Sequence, residues 1–188
     1  MYNLPNLLTL SRIAAIPLVV LLMYIPGPWG AWSAAFFYAL ACITDWLDGH
    51  IARQRQLQSD FGRFLDPIAD KLLVAAILLV LVAQQQIAGV MVVAALIILG
   101  REILVSGLRE FLAGLRISVP VSRLAKWKTG IQMVALGVVM VGPYGPRGFY
   151  LEEIGMVGLA LAALLTLITG YDYLRAGLSY MDRPKQEA

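Results

Sequence analysis

Four aspartates form the pattern in this sequence with the clearest capacity for chemistry. Asp45 and Asp48 are three residues apart, and Asp66 and Asp70 are four apart. Each pair would therefore share one face of a helix, with Cβ atoms about 5–6 Å apart. Four clustered carboxylates repel one another unless cations neutralise them, and two divalent ions would balance their charge. The spacing predicts a binuclear metal site with all four aspartates as ligands.

The rest of the composition narrows the metal and the type of chemistry. The chain has one cysteine, Cys42, and one histidine, His50. Neither a disulfide within the chain nor a thiolate or imidazole metal cage is available, and a Ser-His-Asp triad has no support. Oxygen ligands alone favour Mg²⁺, with Mn²⁺ as the alternative.

The elements that must position these aspartates are apolar helices. Hydrophobic residues make up 60% of the 188 residues, only 14% are charged, and the mean hydropathy is +0.75. Six stretches approach the roughly 20 apolar residues that cross a bilayer. They cover residues 7–25, 32–52, 61–83, 87–112, 124–141 and 154–174. We therefore expect an all-α polytopic membrane protein, a bundle of six transmembrane helices that forms one domain over residues 1–188.

The basic residues orient this bundle. Fourteen of the 15 lysines and arginines fall on the side of the termini, and Arg147 alone falls on the other. The positive-inside rule places the termini in the cytoplasm. The net charge of +3 then reflects membrane topology, and no nucleic-acid partner is expected. A short loop, 54–60, would make the second and third spans antiparallel neighbours, with their aspartate pairs facing each other at the cytoplasmic surface.

Small and basic residues complete the aspartate pattern. Gly49 and Ala52 would leave room for a ligand on the face of the second span, and Arg53 could reach its phosphates. The segment reads Asp-x-x-Asp-Gly-x-x-Ala-Arg, eight residues, Gly62, three residues, Asp66, three residues and Asp70. This spacing resembles, without a departure, the signature of the CDP-alcohol phosphotransferase family.

Further segments resemble the bacterial branch of that family that makes phosphatidylglycerophosphate. They are residues 5–12 (PNLLTLSR), the block from Arg101-Glu102 to Arg109-Glu110, and Lys126-Trp127-Lys128-Thr129 with Gln132-Met133. The resemblance implies six transmembrane helices, a homodimer, and a binuclear metal site that faces the cytoplasm. It also implies transfer of a phosphatidyl group from CDP-diacylglycerol to sn-glycerol 3-phosphate, with release of CMP.

The resemblance gives the site residues unequal roles. Asp45, Asp48 and Asp66 are implied to be metal ligands, and Asp70 both a ligand and the general base. The CDP-lipid is expected at Gly49, Ala52 and Arg53, with Asn6, Thr9 and Arg12 as further candidates. Helix capping by Asn6 or Thr9 and a snorkelling Arg12 explain that second group equally well.

The acceptor phosphate needs cations. The candidates at the cytoplasmic ends of spans four to six are Arg109, Lys126, Lys128 and Arg175. Setting topology or meeting anionic headgroups would explain each of them as well. We expect Glu102 and Glu110 to pair with Arg101 or Arg109.

Three alternatives to this function have to be considered. The same chemistry could use another acceptor, namely inositol phosphate, serine or phosphatidylglycerol. A cation carrier is the alternative from another class, but it predicts carboxylates near the bilayer midplane. A scaffold without activity would leave the costly aspartate cluster unexplained.

Overall fold

The computed structural model describes residues 4–55, 60–115, 123–146 and 148–181, and these contain six α-helices and no strand. The helices are α1 (Leu4–Met23), α2 (Pro28–Arg55), α3 (Asp60–Ala83), α4 (Met91–Gly114), α5 (Arg123–Val141) and α6 (Leu151–Met181), with a short 3₁₀ turn at Gly142–Tyr144. The predicted all-α membrane fold is confirmed.

Membrane-crossing length is established for only part of the bundle. Within the described residues, three helical segments have both the length and the apolar character to cross a bilayer: Met91–Gly114, Leu124–Tyr144 and Leu151–Ser179. Thr9–Met23 is a shorter apolar helix. The count of six spans therefore stays a prediction.

Turn chemistry moves some helix ends away from their predicted positions. The fourth apolar stretch was expected to start at Ile87, but α4 begins at Met91. The backbone amides of Gln86 and Ile87 both donate to Leu81 O and close the end of α3, and Gly89 adopts a φ of +57°. Ile87 is fully buried in this turn. It therefore packs in the apolar core without being part of α4.

One apolar core draws on all six helices. Its fully buried members include Val19, Ile77, Ile98, Leu136 and Leu159. Close approach of α5 and α6 depends on small residues: a Cβ added at Gly155 would lie 2.8 Å from Val139 Cγ2. Small residues at such contacts let helices pack tightly where water provides no driving force.

The position of α1 differs from the simplest expectation. Along the described residues, α1 packs extensively against both α2 and α3, which have no comparable contact with each other. Along the described residues α1 thus lies between α2 and α3, and the pairing predicted for the aspartate-bearing ends of these helices stays a prediction.

Candidate active site

Arg12 of α1 joins the two aspartate-bearing helices. Its Nη2 lies 2.9 Å from Asp45 Oδ1 on α2, and its Nη1 donates to Asp70 Oδ1 on α3 at 2.8 Å. The Arg12 side chain is 1% exposed, whereas those of Asp45 and Asp70 are 31% and 44% exposed. A planar guanidinium can bridge two carboxylates in this way because its donors form a rigid fork.

This bridge brings one member of each predicted aspartate pair together. Asp48 and Asp66 belong to α2 and α3, but their side chains lie outside the described part of the chain. The same holds for the side chains of Asn6 and of the predicted nucleotide residues Gly49, Ala52 and Arg53. The metal ligation and nucleotide contacts predicted for them therefore stay predictions.

The start of α1 faces this site. Thr9 is 1% exposed and precedes Arg12 by three residues, so both lie on the same buried side of the helix. Neither the snorkelling position considered for Arg12 nor an exposed cap describes this arrangement. A sequence signal existed: an arginine in an apolar helix needs a partner when it is buried, and the aspartates were the natural candidates.

The donor set fits a hard divalent cation. Asp45 and Asp70 place two carboxylates around one guanidinium, which leaves net negative charge, and both side chains retain exposed surface. Oxygen ligands of this kind suit Mg²⁺ or Mn²⁺. No group of three or more His, Cys, Asp or Glu residues assembles within the described residues, so Asp48 and Asp66 are needed to complete the predicted site.

A second charged cluster joins α4 to α5 and α6. Lys128 Nζ donates to Glu102 Oε1, and Arg101 Nη1 lies 3.3 Å from the same oxygen. Arg101 also contacts Thr169 Oγ1 through Nη2 at 3.4 Å. The predicted pairing of Glu102 with Arg101 is confirmed, but the participation of Lys128 was not expected.

The four predicted acceptor cations occupy different surroundings. Lys128 is buried against Glu102. Lys126 is exposed on another face of α5, in the wall of an apolar groove of about 560 Å³ that also includes Trp127 and Ile154. Arg109 is exposed and lies over the ring of Tyr173 at 5.7 Å, and Arg175 is exposed two residues beyond that tyrosine. The structure thus brings Arg109 and Arg175 to the same end of α4 and α6, and separates Lys126 from Lys128.

The chain belongs to the CDP-alcohol phosphatidyltransferase family, whose sequence pattern matches residues 2–168. A CDP-diacylglycerol–glycerol-3-phosphate 3-phosphatidyltransferase of Rickettsia bellii is 49% identical over 95% of this chain and 97% of its own length. Proteins of the same name from Pseudomonas fluorescens and Shigella flexneri are 41% and 42% identical. These two matches cover 95% and 93% of this chain, and 92% and 94% of the relatives.

Proposed function

We propose that this membrane protein transfers the phosphatidyl group of CDP-diacylglycerol to sn-glycerol 3-phosphate, giving phosphatidylglycerophosphate and CMP. The observation that carries the proposal is the shared name of relatives that match nearly the whole chain at 41–49% identity. The product is the first committed precursor of phosphatidylglycerol and cardiolipin. The shared name of these relatives disfavours the three alternative acceptors, namely inositol phosphate, serine and phosphatidylglycerol.

Asp45, Asp48, Asp66 and Asp70 are proposed to hold two Mg²⁺ ions. Enzymes of this family generally depend on divalent metals, and the exposed carboxylates of Asp45 and Asp70 suit such ions. When bound, the ions would stabilise the charge that builds up on the reacting phosphate and hold the reacting groups in line. The chain's own part is to keep the carboxylates of two helices together, and Arg12 supports that geometry.

Asp70 is proposed as the general base. The acceptor hydroxyl gives its proton to the Asp70 carboxylate while its oxygen bonds to the phosphorus of the phosphatidyl group, and the bond from that phosphorus to CMP breaks. A bound metal would make the Asp70 carboxylate a weaker base, so Asp70 would take the proton late, as the new bond forms. Arg12 donates a hydrogen bond to Asp70 Oδ1 and so holds this carboxylate in one orientation.

Substrate contacts follow the same division of the bundle. We assign the CDP-lipid to Gly49, Ala52, Arg53, Asn6 and Thr9. Thr9 supports this placement because it lies one turn before Arg12, which contacts Asp45 and Asp70.

We assign the acceptor phosphate to Arg109, Lys126, Lys128 and Arg175. Arg109 has the better support because it is exposed and lies over the ring of Tyr173 of α6. Arg175 is exposed at the same end of α6. Lys128 would have to bind the phosphate while it is paired with Glu102. Lys126 would have to bind the phosphate from another face of α5.

The chain as a whole is proposed to be one catalytic domain, a homodimer in the bacterial inner membrane, with its termini and site in the cytoplasm. The distribution of basic residues supports this orientation, and it agrees with the cytoplasmic origin of both water-soluble reactants.

An acceptor comparison tests the proposal. Purified protein receives CDP-diacylglycerol and Mg²⁺ with glycerol 3-phosphate, inositol phosphate, serine or phosphatidylglycerol in turn, and CMP release is measured. We expect CMP release with glycerol 3-phosphate and none with the other three acceptors. Release with a different acceptor and none with glycerol 3-phosphate would overturn the substrate assignment.

A further inference from the structure

One side of α4 connects to three other helices. Glu102, Ser106 and Arg109 follow one another at intervals of four and three residues and so share a helix face, which we call the α4 polar face. Glu102 binds Lys128 of α5, Ser106 binds Lys71 of α3, and Arg109 lies over Tyr173 of α6.

Three cations take part in these contacts, and Lys71 is the one to which the proposed mechanism gives no role. It follows Asp70 directly on α3, and its Nζ donates to Pro67 O at 2.8 Å and to Ser106 Oγ. An ammonium group has three N–H donors. Among the described residues, the third donor of Lys71 has no hydrogen-bond partner.

Among the described residues, the acidic groups within electrostatic range of Lys71 are paired with other cations or exposed. Asp70, Glu102 and Glu110 lie within electrostatic range of Lys71. Asp70 is paired with Arg12, and Glu102 with Arg101 and Lys128. Glu110 is exposed. Within the described part of the chain, no carboxylate forms an ion pair with Lys71, so its charge is available to an anion.

We propose that Lys71, oriented by Ser106, binds the phosphate of the acceptor beside the general base. The inference rests on the proposed function and deepens it. The acceptor has to place its hydroxyl at Asp70 and its dianionic phosphate on cations close by. Lys71 follows Asp70 on α3 and lies within electrostatic range of both Asp70 and Arg109, so a phosphate held by the two cations stays close to the base.

Lys71→Gln tests the role of the charge. Glutamine can still donate to Ser106 but has no positive charge. Loss of a charge-assisted hydrogen bond should raise the KM for glycerol 3-phosphate about tenfold or more, while the KM for CDP-diacylglycerol stays within about twofold. Lys71→Arg restores the positive charge and should bring the acceptor KM back to within about threefold of wild type.

Ser106→Ala tests the orientation. It keeps the charge of Lys71 and removes one of its anchors, so the acceptor KM should rise by a smaller factor, about two- to fivefold. Ser179→Ala is the matched control, because the exposed Ser179 hydroxyl only donates to Ala176 O on its own helix. Lys185→Gln is the control for loss of one positive charge. Neither control should change the acceptor KM.

Two outcomes would overturn the inference. One is an unchanged acceptor KM in Lys71→Gln. The other is an equal rise of both KM values together with a lower melting temperature, which would make Lys71 a structural tie between α3 and α4.

Calorimetric titration of glycerol 3-phosphate into the Mg²⁺-loaded protein separates this inference from the proposed function. Wild-type binding without turnover would refute the function, and the inference would still stand or fall on whether Lys71→Gln weakens that binding. No binding by the wild type would refute the inference, and the function would still stand or fall on CMP release.

Discussion

The two charged clusters of this bundle have opposite compositions. The carboxylate cluster, Arg12 with Asp45 and Asp70, has two acids and one base, and it joins α1, α2 and α3. The cation-rich cluster, Arg101 and Lys128 with Glu102, has two bases and one acid, and it joins α4 to α5. Thr169 extends the second cluster to α6.

Exposure differs as much as charge does. In the carboxylate cluster the acids are 31% and 44% exposed, and only the arginine is buried. In the cation-rich cluster no side chain is more than 20% exposed. The carboxylate cluster is the open cluster, and its exposed oxygens and net negative charge suit it to bind cations. The cation-rich cluster is the closed cluster, and it mainly fixes helices relative to one another. The function of a charged cluster in a membrane bundle therefore depends on the solvent exposure of its side chains as well as on their charge.

The largest expected effect is at the open cluster. Asp70→Asn removes the proposed base, so kcat should fall about 10²- to 10⁴-fold while CDP-lipid binding persists. Asp45→Asn should first weaken metal binding, seen as a higher Mg²⁺ requirement. Both are measured by CMP release over a range of Mg²⁺ concentrations. Equal turnover in Asp70→Asn and wild type would remove Asp70 from the mechanism.

The next effect is at the closed cluster, and it is on stability. Glu102→Gln leaves Arg101 and Lys128 without their countercharge, which should cost about 3–5 kcal/mol of unfolding free energy. Thermal unfolding in detergent micelles measures the loss. Glu110→Gln, at an exposed carboxylate on the same helix, is the control and should stay within about 0.5 kcal/mol of wild type. Equal stability of the two variants would refute a structural role for the closed cluster.

Arg12→Lys probes the bridge between α2 and α3. A single ammonium keeps the charge but cannot reproduce the two-pronged contact with Asp45 and Asp70. Loss of one charge-assisted hydrogen bond, about 1.5–3 kcal/mol, should lower kcat/KM about 10- to 100-fold. Steady-state kinetics at saturating Mg²⁺ provides the measurement. Wild-type activity would show that the bridge does not position the aspartates.

The smallest effect concerns the space that the closed cluster needs. A Cβ added at Gly170 would lie 2.9 Å from Arg101 Cγ, whereas one at Gly107 meets nothing within 4 Å. Gly170→Ala should therefore destabilise by about 1–3 kcal/mol. Gly107→Ala should be neutral or stabilising by up to about 1 kcal/mol. Thermal unfolding compares the two, and the reverse order would contradict the packing of Arg101 against α6.

Sequence patterns predicted the helices well because apolar runs and turn residues are local signals. Six helices lie where six apolar stretches were expected, and the shift of the α4 start to Met91 came from the turn that buries Ile87. The aspartate spacing likewise predicted that the two pairs would meet. Asp45 and Asp70 do lie on either side of one guanidinium, and the roles of Asp48 and Asp66 stay predictions.

The partners of those residues depended on how the helices are rotated and packed, which spacing alone does not give. An arginine in the apolar α1 indicated that a buried partner was needed, but nothing local in the sequence shows that α1 lies between α2 and α3. The bridge from Arg12 to both Asp45 and Asp70 was therefore not predicted. Lys126 and Lys128 were grouped together although residues two apart on a helix do not share a face. Helical periodicity alone is therefore enough to separate the two lysines.

CMP formation by the purified wild-type protein is the most direct test of the central claim, with CDP-diacylglycerol and glycerol 3-phosphate supplied and Mg²⁺ either present or removed by EDTA. We predict CMP and phosphatidylglycerophosphate in equal amounts with Mg²⁺, none with EDTA, and recovery when Mg²⁺ is added back. Product formation that persists undiminished in EDTA, or with all four aspartates changed to asparagine, would contradict an aspartate-held metal site.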